Sequence, residues 1–165
     1  MKNTLFIFLA LMLLASCKSK ESTTRYDYAS TIVEDGVQGT VVIKAWGEGK
    51  NMEVAKTDAK RNAVYSLLFK GFPSANGVLS NSLRPMVTNP NAEQQYKSYF
   101  DAFFAEGGKY LQFVRFADDI GRVAVGDVVK SSEKYKVGVV VVVDQSSLRR
   151  EMEQAGIINK FGINY

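Results

Sequence analysis

Hydrophobic residues recur along this chain with two periods, one typical of strands and one of helices, and each change of period predicts a new element. Thr40–Trp46 is rich in β-branched residues and predicts a strand, followed by a turn over 47–49. The stretch 52–69 predicts a helix, because small residues recur in it at every fourth position: Ala55, Ala59 and Ala63. Such a stripe lets a helix lie close to a sheet.

The second half of the chain predicts another helix, three strands and a last helix. Aromatic residues repeat at intervals of three and four over 92–106, where a helix is expected. Its Phe100, Phe103 and Phe104 either pack in the core or line a pocket for a lipid or a glycan. Strands are predicted over 110–116, 122–130 and 135–144, and a helix follows through Gln154, with Gly156 ending it.

This order, β-α-α-β-β-β-α, predicts an α+β fold built as a two-layer sandwich. We expect a mainly antiparallel sheet, its last three strands a meander, with the helices on one face. Val137–Val143 is almost unbroken valine, typical of a central strand covered on both faces or of a strand at a subunit contact. One domain is expected over 39–165, after a polar tether over 17–38 whose second half can dock as a short strand.

Residues 1–16 have the pattern of a secretion signal. A short basic start is followed by an unbroken apolar run from Leu5 to Leu14. Ten helical residues reach only about 15 Å, whereas the hydrocarbon layer of a membrane is roughly 30 Å thick. The segment is therefore expected to be cleaved rather than to span the membrane.

The cleavage site is marked by Leu14-Ala15-Ser16-Cys17, which resembles the lipobox of bacterial lipoproteins at all four positions. Cys17 is the only cysteine of the chain, so it has no internal partner for a disulfide. We expect it to be lipidated and to anchor the protein to a membrane. Because Lys18 rather than aspartate follows the cysteine, we expect the outer membrane, on its periplasmic face.

Composition narrows the function further. Removing Lys2 with the signal leaves 20 of the 21 basic side chains against 17 acidic ones, a net charge of +3, and the basic residues are scattered among acids. We therefore expect no nucleic-acid partner. The chain has no histidine, the residue that most often activates nucleophiles and binds zinc, so we expect no enzymatic activity, no cofactor and no metal ion.

The long connection over 72–90 is the candidate contact surface. It contains all three prolines of the chain and places apolar side chains around one cation, Arg84: Leu79, Leu83, Met86 and Val87. Apolar residues in a loop either pack on the domain or stay exposed until a partner binds them. We expect this loop to contact an envelope protein partner, and the alternative is a flap that closes the helical layer.

One short motif carries a family resemblance. Gly47-x-Gly49, then Ala55 and Asp58-Ala-x-Arg-Asn-Ala63, following a strand, resembles a module of small Gram-negative envelope lipoproteins that includes the N-terminal domain of the flagellar assembly protein T. The resemblance covers residues 40–70 and implies an envelope assembly or accessory protein without catalytic residues. The alternative function is binding of a small lipid, glycan or peptide.

Overall fold

The computed structural model describes residues 30–36, 38–72 and 83–160 of the chain. Over these residues a single sheet is flanked by helices, and all its strand pairs are antiparallel, which confirms the α+β class. The strands are β1 Thr31–Asp35, β2 Thr40–Gly49, β3 Val114–Phe116, β4 Val128–Lys130 and β5 Tyr135–Asp144. The helices are α1 Met52–Tyr65, α2 Ala92–Gln95, α3 Lys97–Phe103 and α4 Gln145–Gln154.

Two helical turns that are not α-helical complete the order of elements. Ser66–Lys70 continues α1 as a π-helical turn, and Lys109–Phe113 forms a 3-10 turn directly before β3. The predicted helix over 92–106 is divided into α2 and α3 at Tyr96, whose backbone leaves the helical region (φ −108°, ψ 31°). The predicted strand over 110–116 starts only at Val114. Tyr110 and Phe113, three residues apart, face the core together because a 3-10 turn has three residues per turn.

The meander predicted for the last three strands is wrong. β5 lies at the centre of the sheet and pairs with β2 over its whole length. On its other side, β3 pairs with Val141–Val143 and β4 with Tyr135–Val137, so β3 and β4 lie end to end along one edge. The predicted strand over 122–130 is reduced to β4, because its first residues would need the part of β5 that β3 occupies. Gly126, just before β4, adopts a left-handed backbone conformation (φ 98°).

The sheet begins within the segment that was predicted to be a tether. β1 pairs with β2 from Thr31↔Lys44 to Asp35↔Val41, with one irregularity between Ile32 and Glu34. The predicted docking of the second half of this segment as a short strand is therefore observed. The first half, including Cys17, lies outside the described residues.

Residues 47–49 continue β2 instead of forming the predicted turn. A Cβ atom on Gly47 would lie 2.2 Å from the backbone nitrogen of Ala59, and one on Gly49 would lie 2.6 Å from that of Ala55. Glycine weakens a strand, but here it allows the backbone of α1 to rest directly on β2. The alanine stripe and the two glycines thus form one packing surface, and the core lies between this helix and the sheet.

Candidate functional site on the open face of the sheet

The two faces of the sheet differ in what covers them. Side chains alternate along a strand, and in β2 the odd-numbered Val41, Ile43 and Ala45 are buried beneath α1. The even-numbered Lys44 and Trp46 lie on the opposite face and stay half-buried, although Val42 on the same face is buried. The same holds in β5, where Val139 and Val141 are buried but Val140 and Val142 are not. We call the second surface the open face; its central residues are Lys44, Trp46, Glu48, Lys136, Gly138 and Val140.

Trp46 lies on the open face between Lys44 and Glu48, toward the end of β2 and across from Gly138 on β5. A Cβ atom on Gly138 would lie 3.1 Å from Cε2 and Cζ2 of the indole and 3.3 Å from Cδ2. These nearly equal distances show that the ring lies flat on the backbone of β5. The absence of a side chain at Gly138 makes room for it.

Lysines surround the indole. The ammonium groups of Lys44 and Lys136 lie 5.6 and 5.7 Å from the ring centroid of Trp46, within the range of a cation–π interaction. Lys44 also forms an ion pair of 2.7 Å with Asp127, and Lys134 lies 3.9 Å from Glu48. The arrangement is an aromatic surface flanked by positive charge.

The helix on the other face holds the backbone beneath Trp46 in place. Asn62 of α1 donates a hydrogen bond from Nδ2 to the carbonyl oxygen of Trp46 (2.8 Å), and the amide of Glu48 donates to Oδ2 of Asp58 (3.0 Å). Pairing with β1 ends at Lys44, so these side chains satisfy backbone groups beyond the end of that strand. Asp58 and Asn62 belong to the motif that carried the family resemblance, and they hold the strand backbone at Trp46 and Glu48.

The candidate partner loop is partly built into the domain. Phe72 and Leu83 form an antiparallel bridge through two hydrogen bonds of 2.7 and 2.9 Å. The amides of Met86 and Val87 donate to the carbonyl oxygens of Leu67 and Leu68 in the π-helical turn. Leu83 and Met86 are half-buried against the core and Val87 is buried, whereas Arg84 is exposed. This packing fits the alternative of a structural flap; Leu79 lies outside the described residues.

The aromatic residues of α3 belong to the core. Phe100 and Phe103 are buried, and Phe104 packs beside them. Their rings contact one another, the ring of Tyr99 in the same helix, and rings of neighbouring elements: Tyr65, Phe69, Tyr110 and Phe113. The arrangement favours the core interpretation of this helix over a ligand pocket.

Within the described part of the chain, no group of three or more potential metal-binding side chains is present. The adjacent aspartates at 118 and 119 lie in a turn, where both carboxylate oxygens of Asp118 accept from the amide of Arg122 (3.0 and 3.1 Å). Backbone hydrogen bonds, that from Arg122 first, hold the pKa of Asp118 below its usual range. In the same described ranges, no helix has both the length and the apolar character needed to cross a membrane.

Sequence reasoning did not single out Trp46 or the open face. The signal was present in β2, where Lys44, Trp46 and Glu48 alternate with the buried Ile43 and Ala45. Comparison of this chain with protein-family models, with curated proteins and with solved structures finds no match.

Proposed function

We propose that this chain is a lipid-anchored envelope lipoprotein that acts by contact rather than by catalysis. Cys17 carries the lipid, which holds the protein at the periplasmic face of the outer membrane. The folded domain then serves as an interaction or assembly accessory protein. The sequence supports the anchor through its complete Leu-Ala-Ser-Cys17 motif after an apolar run.

The observation that carries the contact role is the face of the sheet that none of the described helices covers. A two-layer sandwich buries one face of its sheet, and the other is free to be wholly polar. Here the second face instead carries Trp46 together with the half-buried Val140 and Val142. Tryptophan is enriched where proteins contact other molecules, so this face is the surface best suited to an envelope component.

The proposal assigns no catalytic residue. The chain has no histidine, and its single cysteine is the residue that carries the lipid. The polar side chains nearest Trp46 serve the fold: Asn62 and Asp58 hold the strand backbone, and Asp127 pairs with Lys44. For contact with a partner, it is enough that these residues hold the strand backbone and Lys44 in place around Trp46.

Labelling and fractionation test the anchor. Cells that express the full chain are given a radioactive fatty acid, and the same is done with Cys17→Ser. We expect label and membrane retention for the natural sequence and loss of both for the variant. A Cys17→Ser protein that still fractionates with the membrane would contradict the assignment.

Site-specific photo-crosslinking tests the contact role. A photoreactive amino acid replaces Val140 on the open face or, as the matched control, the exposed Ser98 on α3. In intact cells we expect adducts with an envelope component from position 140 and none from position 98. Adducts from position 98 alone would place the contact on the helical layer and overturn the proposal.

A further inference from the structure

The end of the open face around Trp46 combines an aromatic ring with positive charge. Three lysines gather there: Lys44, Lys134 and Lys136. Acidic side chains are also present, but they lie within ion-pair distance of two of these lysines, Asp127 beside Lys44 and Glu48 beside Lys134. Another acid of this face, Glu34, lies farther along the sheet, beside Val42. The lysines are therefore concentrated at the end that holds the indole.

Exposed apolar residues border the same end. Val129 of β4 pairs with Lys136, so it lies on the open face, and it is 56% exposed. Val125 lies in the turn that leads to Asp127 and is fully exposed. Apolar side chains next to lysines and a tryptophan are typical of surfaces that rest on a lipid bilayer, because tryptophan prefers the headgroup region and lysine attracts anionic lipids.

The chain joins the sheet beside this end of the face. The described N-terminal strand begins at Thr31, which pairs with Lys44, and Lys44 lies next to Trp46 on the same face of β2. The segment from Cys17 to Ser30 can span at most about 45 Å even when fully extended. A lipid on Cys17 would therefore hold this part of the face within that distance of the bilayer.

We infer that the open face docks, with Trp46 foremost, on the anionic phospholipid surface of the membrane that holds the anchor. This inference rests on the proposed lipidation of Cys17. Attachment makes docking an intramolecular step, for which effective concentrations are on the order of millimolar. A small face on which lysines border an indole is then sufficient. Docking would fix the orientation of the domain at the membrane, and the phospholipid surface would then be the envelope component that the open face contacts.

The single tryptophan of the chain gives a direct measurement. The full lipoprotein, purified from membranes, is reconstituted into vesicles of phosphatidylcholine, with or without phosphatidylglycerol. We expect Trp46 emission to shift to shorter wavelength only when phosphatidylglycerol is present, and to be quenched there by lipids brominated on their acyl chains. High salt should reverse both effects, because it screens the attraction between lysine and lipid. Identical spectra in the two vesicles would overturn the inference.

Two charge reversals provide a matched comparison. Lys134→Glu changes a lysine of the open face whose side chain is 64% exposed, and Lys97→Glu changes one on α3 that is 70% exposed. We expect Lys134→Glu to reduce the lipid-dependent shift at least severalfold, while Lys97→Glu retains it. Circular dichroism of both variants checks that the fold is intact. Equal behaviour of the two variants would show that the open face is not the docking surface.

Flotation separates failure of the docking from failure of the anchor. A lipidated protein floats with neutral vesicles, and if its Trp46 spectrum is then insensitive to phosphatidylglycerol, the anchor stands and the docking is wrong. A protein that floats only with anionic vesicles docks without a lipid, which contradicts the lipidation of Cys17 but supports the face. A spectral shift in neutral vesicles that grows with protein concentration would identify a second copy as the occupant and overturn the lipid assignment.

Discussion

Asn62 joins the two faces of the sheet: from its place in α1, its side chain donates to the carbonyl oxygen of Trp46, whose indole lies on the opposite face. Asn62 is buried, and its removal leaves that carbonyl without this donor. We expect Asn62→Ala to lower the free energy of unfolding by about 2 kcal/mol and the melting temperature by several degrees. The exposed Asn159 offers a control, since Asn159→Ala should change neither quantity. Equal melting temperatures for both variants would show that the bond contributes nothing.

Gly138 makes room for the indole of Trp46. A valine at this position would project toward the ring, so we expect Gly138→Val to displace Trp46 into solvent. Its emission should shift to longer wavelength and its quenching by acrylamide should rise. The protein should stay folded, because valine suits a strand better than glycine does. Val140→Ala, a change in the same strand and on the same face, should leave the spectrum unaltered. An unchanged spectrum in Gly138→Val would show that the ring does not need this space.

The carboxylate of Glu151 on α4 predicts a loss of stability in acid. Tyr99 and Lys109 donate to its Oε1 atom over 2.9 and 2.7 Å. Burial alone would raise the pKa of Glu151, but these two bonds outweigh it and hold the pKa below its usual range. A depressed carboxyl pKa contributes stability above its value in the unfolded chain, and that contribution is lost as pH falls through the folded value. The window is therefore below about pH 4.5.

Melting curves of Glu151→Gln at several pH values check this assignment. The variant resembles the protonated acid, so it should melt several degrees below the natural protein at pH 7 and almost together with it near pH 3. Glu133→Gln, at an exposed position, should match the natural protein throughout. A gap for Glu151→Gln that stays constant with pH would mean that ionisation of this group is not involved.

The segment Leu83–Val87 is expected to behave as part of the core. Changing both Leu83 and Met86 to serine places hydroxyl groups against apolar neighbours, and we expect a fall of several degrees in melting temperature. Arg84→Ala, at the exposed position between them, should leave it unchanged. If the double variant instead keeps its melting temperature and loses an envelope partner in a pull-down experiment, the segment is the contact surface that the sequence predicted.

The elements that depend on local periodicity could be predicted from the sequence. The alanine stripe predicted α1 and the run of valines predicted β5. Gly156, after the end of α4, has the predicted left-handed conformation. The valine run was expected to be covered on both faces or to lie at a subunit contact. It is central in the sheet, but of its valines only the odd-numbered ones are buried.

The remaining features depend on contacts between distant residues. The residues near 122–130 do not indicate that only the last three of them pair with β5. The limit comes from β3, which pairs with the other half of β5. The continuation of β2 through Gly47 and Gly49 is explained by α1, which needs those positions to lack a side chain. The flat position of Trp46 likewise depends on Gly138, which is remote in sequence.

The pairing of β2 with β5 affects when the protein can fold during its synthesis. The two longest strands of the sheet are neighbours in space, yet nearly all the described helices lie between them in the chain. The centre of the sheet cannot form until the ribosome has delivered β5, so contacts of long sequence separation must close last and slowly. Because β5 is near the end of the described chain, the nascent protein lacks its central strand pair for most of its synthesis. That delay would suit passage through a translocation channel before folding, which the predicted secretion signal implies.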